Sequence, residues 1–178
     1  MITLNFDDGF KTSISEAYPI LKKYHILATH FVISDYTSFY RYMDLNDLKT
    51  LKDAGHEIQN HTKTHKNLFL LSISDMQDEI GESKKVLQSQ GFTTTAFNYP
   101  YGAVNNLVRA KVIENGFIGA RSAIRGFNTK NTDPFMLKDQ FVGEDVSFDE
   151  VKTLIDNAVT NKTWLILELH DVASKENA

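Results

Sequence analysis

Short apolar runs alternate along this chain with longer segments in which apolar residues recur every three to four positions. The first pattern is typical of buried strands and the second of amphipathic helices. The predicted strands are Met1–Phe6, Ala28–Ser34, His56–Asn60, Ala96–Tyr99, Phe117–Arg121 and Trp164–Leu169. The predicted helices are Ser13–Tyr24, Asp44–Ala54, Ser74–Gln90, Asn105–Asn115 and Ser147–Thr160. The segment Phe135–Val142 is ambiguous and is compatible with an extended conformation.

The ends of two predicted helices carry local capping signals. Asp44 stands where a helix N-cap is expected, and Ser147 with Glu150 matches a capping box. Strands that alternate with helices predict an α/β fold with a mainly parallel sheet and the helices outside it. Both a barrel and an open doubly wound sheet satisfy this pattern.

The composition narrows the class of protein. The chain has 178 residues, of which 42% are hydrophobic, and a formal net charge of -4. The basic excess typical of nucleic-acid-binding proteins is missing, and no apolar run is long enough to predict a transmembrane segment. Cysteine is absent, which excludes disulfides, thiolate metal ligands and a cysteine nucleophile. An eight-unit barrel takes roughly 250 residues, so we expect fewer units here.

Polar clusters follow four of the predicted strands. They are the segments 7–8, 60–65, 98–102 and 170–171. In parallel α/β folds the functional groups gather at the carboxyl ends of the strands. We therefore expect these four clusters to meet at one mouth of the fold.

His61 and His65 are the clearest metal-binding candidates by residue type and spacing. A separation of four residues can place two imidazole rings on the same side of a turn, and a carboxylate would complete an open three-ligand site. Asp7 and Asp8 offer that carboxylate and leave one acid to act as a base. The alternative is that the two histidines are exposed loop residues with no ligand.

Four short motifs together resemble the polysaccharide deacetylases of the NodB-homology type, carbohydrate esterase family 4. They are LNFDDG at 4–9, AGHEIQNHTKTH at 54–65, YPYG at 99–102 and LHDV at 169–172. The resemblance implies an incomplete or distorted (β/α)7 barrel, similar to a TIM barrel and opened on one side to admit a polymer. It also implies a single catalytic domain over residues 1–178.

The resemblance implies a role for each matching residue. Asp7 would be the general base. Asp8, His61 and His65 would bind a divalent metal, most often zinc, with cobalt, nickel or manganese as alternatives. His170 would be the general acid that protonates the leaving amine.

The YPYG motif would supply the remaining catalytic group. The backbone N–H of Tyr101 would stabilise the oxyanion, and Pro100 and Gly102 would support that turn or the substrate. A zinc ion polarises a carbonyl and acidifies water, and an amine leaves readily only when it is protonated, so both a base and an acid are required.

Asn98 occupies the position where the third motif of this family usually begins with an arginine. An asparagine can donate a hydrogen bond to a carboxylate but carries no charge to keep it ionised. We hypothesise that Arg121, at the end of the following strand, supplies that charge. The alternative is that Arg121 is an exposed surface residue.

Glu168 stands where the last motif usually has an apolar residue. Strand alternation places it on the same face as His170, where an acid would stabilise the imidazolium form. The alternative is an outward-facing residue in a bulged strand. The family's fourth motif, an aspartate followed by a tryptophan, is not recognisable, and the acidic segment 139–150 is interpreted as a solvated face.

The sequence thus predicts a metal-dependent hydrolase that removes acetyl groups from a polysaccharide, most simply from N-acetylglucosamine units. The alternatives are an acetyl xylan esterase on the same fold and a catalytically weak carbohydrate-binding domain. The expected partner is an acetylated polysaccharide or oligosaccharide, not a nucleic acid. Proteins of this family usually act outside the cytoplasm, although no leader is visible. Since eight residues follow His170, we expect no covering helix after the last strand and a chain that is a minimal or C-terminally truncated core.

Overall fold

Seven parallel strands form a closed barrel in which each strand pairs with its neighbours in chain order. The structure, a computed structural model, describes residues 1–172. The strands are β1 (Ile2–Phe6), β2 (Thr29–Val32), β3 (Glu57–Asn60), β4 (Ala96–Asn98), β5 (Gly119–Arg125), β6 (Leu137–Phe141) and β7 (Leu165–Leu169). The ambiguous segment before residue 142 is thus a strand, and the predicted (β/α)7 barrel is confirmed.

Helices connect most successive strands and cover the outside of the barrel. They are α1 (Tyr18–Lys23), α2 (Leu45–Asp53), α3 (Ile73–Gln77), α4 (Ser83–Ser89), α5 (Asn106–Glu114) and α6 (Phe148–Thr160). Wider i→i+5 turns at Ser13–Ala17 and Asp78–Glu82 lead into α1 and join α3 to α4. Strands β5 and β6 are joined by the loop 126–136, which the structure describes in full and which contains no helix.

The barrel has no open side, so the expectation that it opens to admit a polymer is wrong. Strand β1 pairs with β7 along its whole length, from Ile2 with Leu165 to Phe6 with Leu169. Paired backbone groups at this seam leave no strand edge there. A substrate must therefore approach the barrel at one of its ends.

Local sequence signals explain where the helices begin. The Asp44 carboxylate accepts hydrogen bonds from the first turn of α2, and Ser147 with Glu150 forms the predicted capping box of α6. Apolar faces of the helices then pack on the barrel. Leu48 and Leu51 of α2, for example, are fully buried in a cluster with Ile58 of β3. Such contacts hold the strands in position, and the polar clusters lie at the ends of these strands.

Two further predictions concern the chain as a whole. Among the described residues no helix has the length and apolar character needed to cross a membrane. The expected absence of a covering helix after the last strand concerns residues 173–178, which lie outside the described part of the chain.

Candidate active site

The two adjacent acids after β1 face different partners. Asp7 ends the strand pairing, and its backbone N–H donates to the carbonyl of Leu169 over 2.9 Å. Asp8 then takes a left-handed conformation with φ of 65°. Because the backbone turns sharply between them, the buried Asp7 carboxylate points into the barrel while that of Asp8 meets two histidines.

Asp8, His61 and His65 form a three-ligand cluster at the carboxyl end of the barrel. Asp8 Oδ1 lies 3.3 Å from His61 Nε2 and 3.4 Å from His65 Nε2, and the two histidine nitrogens are 3.1 Å apart. A tetrahedral zinc ion with bonds of about 2.0–2.1 Å needs ligand atoms about 3.3 Å apart. The cluster therefore has the spacing and donor types that can hold a divalent metal ion.

The two histidines are held in the form that binds metal. His61 Nδ1 lies 2.9 Å from the carbonyl oxygen of Asn98. A carbonyl oxygen only accepts, so the ring proton is on Nδ1 and the lone pair of Nε2 is available to a metal. Burial, together with repulsion from His61, lowers the pKa of His65 to about 4. His65 is therefore neutral at pH 7, as a metal ligand must be.

The loop that carries these histidines is held by a buried carboxylate, that of Glu79. Its Oε2 accepts hydrogen bonds from the backbone N–H groups of Lys63 (3.1 Å) and Thr64 (2.8 Å), and its Oε1 from the hydroxyl of Thr64. The loop needs such support because His65 adopts a left-handed conformation with φ of 59°. Glu79 lies on the wide helical turn Asp78–Glu82, which aims it at the loop.

Asp7 lies next to Asp8 in sequence but belongs to a different set of contacting side chains, which is centred on Arg121. Its Oδ2 accepts a hydrogen bond from the Asn98 side-chain amide over 2.9 Å and contacts the Arg121 guanidinium. Arg121 is 2% exposed, so it is not the surface residue of the alternative interpretation. The structure thus places both Asn98 and Arg121 against the carboxylate of Asp7.

Arg121 also contacts two further carboxylates. Its Nη1 reaches Asp139, and lies 3.2 Å from Glu168 Oε2. Burial, together with the nearby acids Asp7 and Asp139, raises the pKa of Glu168 to about 8 despite the guanidinium. Burial likewise raises the pKa of Asp139. Three carboxylates share one cation, so Glu168 largely retains its proton at pH 7.

His170 lies beside two of these acids at the carboxyl end of the barrel. Its Nε2 lies 3.7 Å from Glu168 Oε1 and 3.9 Å from Asp7 Oδ2, and its side chain is about one-third exposed. Glu168 therefore faces into the barrel beside His170, not outward. The histidine can reach both the buried acids and a molecule in solvent.

The YPYG turn forms the rim next to the histidine cluster. Tyr101 is exposed, has a φ of 59°, and its ring lies 4.7 Å from that of His65. Pro100 is buried at the start of the turn. A Cβ on Gly102 would lie 2.6 Å from the Cβ of Ala123, so the turn can approach β5 this closely only with glycine.

Sequence reasoning missed Asp139 and Glu79. Asp139 is fully buried against Arg121, so its interpretation as part of a solvated acidic face is wrong. Strand alternation could have revealed this burial. If residues 137–141 form a strand, Leu137, Asp139 and Phe141 share one face, and two of these residues are apolar. Glu79 carried no such signal, since its partners are backbone groups of a distant loop.

Comparison with known proteins identifies the family to which this barrel and its mouth correspond. The polysaccharide deacetylase family model matches residues 1–119, about two-thirds of the chain. The chain therefore belongs to the polysaccharide deacetylase family, and the resemblance to NodB-homology proteins is confirmed. The match covers the aspartate pair, the histidine pair and the YPYG turn, whereas β6, β7 and all of β5 except Gly119 lie beyond it.

Two curated relatives are informative. The peptidoglycan-N-acetylmuramic acid deacetylase PdaC of Bacillus subtilis is 29% identical over 114 residues, which cover 63% of this chain and 24% of that protein. The poly-beta-1,6-N-acetyl-D-glucosamine N-deacetylase of Staphylococcus aureus is 26% identical over 164 residues, covering 81% and 55%. The chain thus spans about half or less of the length of these relatives.

A solved structure extends the similarity beyond position 119. The Streptococcus pyogenes deacetylase PplD, determined in complex with acetate, superposes with a TM-score of 0.81 and is 27% identical. The superposition covers 85% of this chain and 68% of that chain. The barrel is therefore similar to that of a solved deacetylase over most of its length.

Proposed function

We propose that this chain is a single catalytic domain that removes acetyl groups from N-acetylglucosamine units of a polysaccharide with the help of a divalent metal. The observation that carries the proposal is the arrangement at the carboxyl end of the barrel. A three-ligand cluster of Asp8, His61 and His65 lies beside a buried acid, Asp7, which is 3.9 Å from His170. A metal ion, a general base and a general acid in one site can together hydrolyse an amide.

Zinc is the metal that the cluster fits best. The Asp8 Oδ1 atom is buried and has no hydrogen-bond partner among residues 1–172, as expected of an atom reserved for a ligand. When bound, zinc supplies a Lewis acid that polarises the acetyl carbonyl and makes water more acidic. Asp8, His61 and His65 would hold it, and the contact of His61 with the Asn98 carbonyl would orient one ligand.

Asp7 is suited to accept a proton from the attacking water. Arg121 and Asn98 both bind its Oδ2, whereas its Oδ1 has no partner among the described residues. A positive charge and a donated hydrogen bond stabilise the ionised carboxylate, which is the basic form. The structure therefore supports the hypothesis that Arg121 provides the charge that Asn98 lacks.

His170 is suited to give a proton to the leaving amine. It borders the same mouth as Asp7 and is partly exposed, so a sugar amine can reach it. Glu168 stands beside it, but with a pKa of about 8 this acid is mostly neutral at pH 7. The negative charge that the sequence interpretation placed beside His170 is therefore largely absent at pH 7.

The backbone N–H of Tyr101 is the proposed donor to the oxyanion. The turn Pro100–Gly102 is the rim segment beside the histidine cluster, and the left-handed conformation of Tyr101 sets the direction of its peptide group. An acetyl carbonyl bound at this rim would accept a hydrogen bond from that N–H. Donors held in advance at such a place stabilise the transition state strongly.

The substrate class rests on the relatives. The relatives from Bacillus subtilis and Staphylococcus aureus are named for peptidoglycan and for poly-N-acetylglucosamine. The mouth lies at an open end of the barrel, where a polymer can pass across it without threading. No described residue singles out acetylated xylan over these substrates.

Acetate release tests the proposal directly. The protein, loaded with one equivalent of zinc, is incubated with chitin oligomers, peptidoglycan, poly-N-acetylglucosamine and acetylated xylan, with and without chelator. We expect acetate from at least one N-acetylglucosamine polymer, its loss with chelator and its return with zinc. Bound zinc without acetate from any of these substrates would contradict the proposed activity.

Glu79→Gln is expected to weaken zinc binding by roughly 10–100-fold, the usual cost of losing a partner that supports a metal ligand. A glutamine retains the size of the side chain but has a single acceptor oxygen for three donors from Lys63 and Thr64. The zinc affinity is measured by competition with a chromophoric chelator. Glu82→Gln, at a half-exposed acid paired with Lys85, is the control. Equal affinities of Glu79→Gln and the wild type would contradict the positioning role.

The folded protein is expected to lose stability as the pH rises from about 4.5 to 8, partly because of Glu168. Its folded-state pKa of about 8 lies above the ordinary value of 4.5, so in this range the folded chain binds a proton that the unfolded chain releases. In Glu168→Gln the free energy of unfolding should fall less than in the wild type, by on the order of a few kcal/mol between pH 4.5 and 8. Urea unfolding of the metal-free protein at several pH values measures this free energy. Glu144→Gln, at an exposed acid, should retain the wild-type slope.

A further inference from the structure

The amino-terminal end of the barrel contains a cavity, at the end opposite the proposed active site. Its volume is about 580 Å³, within the range of 300–1,000 Å³ that is usual for small-molecule sites. Parallel α/β barrels normally fill this space with bulky branched side chains. Here the lining residues near the starts of four strands are small, namely Thr3, Thr29, Ala96 and Gly119.

The wall of the cavity is largely apolar, and its rim is exposed. Phe31 and Ile166 lie deep in it, whereas Ile2, Leu27 and Ile118 at the rim are 40%, 60% and 72% exposed. Exposed apolar residues around a concave site are typical of ligand binding. An apolar group bound in the cavity would shield the side chains of both the rim and the wall from water.

Two polar atoms at the inner end lack partners. Asn5 and Arg121 both line the cavity and are 4% and 2% exposed. The Asn5 Oδ1 and the Arg121 Nε are buried and have no hydrogen-bond partner among residues 1–172. Such atoms cost free energy unless something pairs with them. An occupant therefore needs one donor and one acceptor at its inner end.

The charges around Arg121 limit the occupant to a neutral molecule. The guanidinium already faces Asp7, Asp139 and Glu168, so an added carboxylate would meet excess negative charge. An added cation would meet the guanidinium itself. A hydroxyl group is neutral and can both accept from Nε–H and donate to Oδ1.

We propose that this cavity binds a neutral amphipathic small molecule, with a hydroxyl head at Asn5 and Arg121 and an alkyl or aromatic body against the apolar wall. The site is separate from the acetyl-binding mouth. Arg121 connects the two sites, because it lines the cavity and its other nitrogens contact Asp7 and Asp139. The proposal does not depend on the deacetylase activity.

Trp164 provides a direct probe, because it lines the cavity and is the single tryptophan of the chain. The full chain is titrated with 1-octanol while tryptophan fluorescence and the melting temperature are recorded. We expect a saturable change in fluorescence and a rise in melting temperature. Octanoate and octylammonium, with the same chain and a charged head, are expected to bind at least about tenfold more weakly. No saturable change with 1-octanol, or equal affinity for the three heads, would overturn the proposal.

Filling the cavity distinguishes specific from general binding. Ala96→Leu is expected to weaken 1-octanol binding at least about tenfold, because the leucine occupies the space of the ligand. Thr29→Leu, from a neighbouring strand, is a second filling variant in case the first does not fold. Ala54→Leu, at an exposed residue outside the cavity, should bind as the wild type does. Equal binding by the folded filling variants and the wild type would overturn the proposal.

The exposed rim has another conceivable occupant, a second copy of this chain. Sedimentation of the same protein with and without 1-octanol tests this. We expect a monomeric mass that is independent of both protein and alcohol concentration. Dimerisation that 1-octanol does not alter, together with no change in tryptophan fluorescence, would overturn the proposal.

Discussion

Asp7→Asn is expected to lower kcat for deacetylation by about 10²–10⁴-fold while zinc still binds, since a general base contributes that much and Asp7 is not among the proposed ligands. The amide retains the size of the carboxylate, and it can still contact Asn98 and Arg121. What it loses is the ability to accept a proton from water. The rate of acetate release and the zinc content of the purified protein measure the two parts of the prediction.

Asp8→Asn is the matched control, because it makes the same chemical change one residue away. Here we expect both zinc and activity to be lost, since Asp8 Oδ1 lies 3.3 and 3.4 Å from the two histidine nitrogens and completes the cluster. Both variants should thus be inactive, but only Asp7→Asn should still contain zinc. Full activity in Asp7→Asn, or full zinc content in Asp8→Asn, would show that the roles are assigned wrongly.

Arg121→Gln is expected to destabilise the folded protein by about 3–5 kcal/mol, the usual cost of removing one partner from buried ion pairs. Asp7, Asp139 and Glu168 would then lie together without a cation. Each acid that ionises adds uncompensated charge, so the loss of stability should grow as the pH rises. Urea unfolding at pH 5 and pH 8 measures this difference.

The same variant is expected to reduce activity and to shift its pH dependence. Without the guanidinium this group of carboxylates has no cation, which disfavours negative charge there, so the acidic limb of the kcat profile should move to higher pH. Arg125→Gln is the control, because Arg125 lies on the same strand but is exposed and rests over the ring of Phe141. Arg121→Lys restores the charge and should recover part of the rate. An unchanged kcat profile in folded Arg121→Gln would exclude the proposed role.

Some of this site could be predicted because the family motifs are local in sequence. The segments around Asp7 and around His61 and His65 are short and contiguous, and each ends a predicted strand. Parallel strands present their carboxyl ends at one edge, so the convergence of the clusters follows from the strand–helix alternation. Asn98 and Arg121 could be paired by the same reasoning, since both lie on neighbouring strands near this edge.

Other features depended on partners that are distant in sequence. Asp139 is an acid in a segment whose conformation was ambiguous, and its burial follows from its pairing with Arg121 inside the barrel. Glu79 contacts a loop about 15 residues away through backbone groups, which leave no trace in side-chain pattern. Closure of the barrel depended on pairing between the first and last strands, which no local signal encodes.

The sequence by itself determined the order of most strands and helices, the caps at Asp44 and Ser147, and the short polar motifs that end the strands, because each of these arises from residues within a few positions of one another. Only the tertiary structure decided the ionisation states of the acids around Arg121. Glu168 has an ordinary sequence context, yet burial beside Asp7, Asp139 and Arg121 keeps it largely protonated at pH 7. Desolvation and neighbouring charge depend on what surrounds a group in space, so the ionisation of this mouth is a property of the folded barrel.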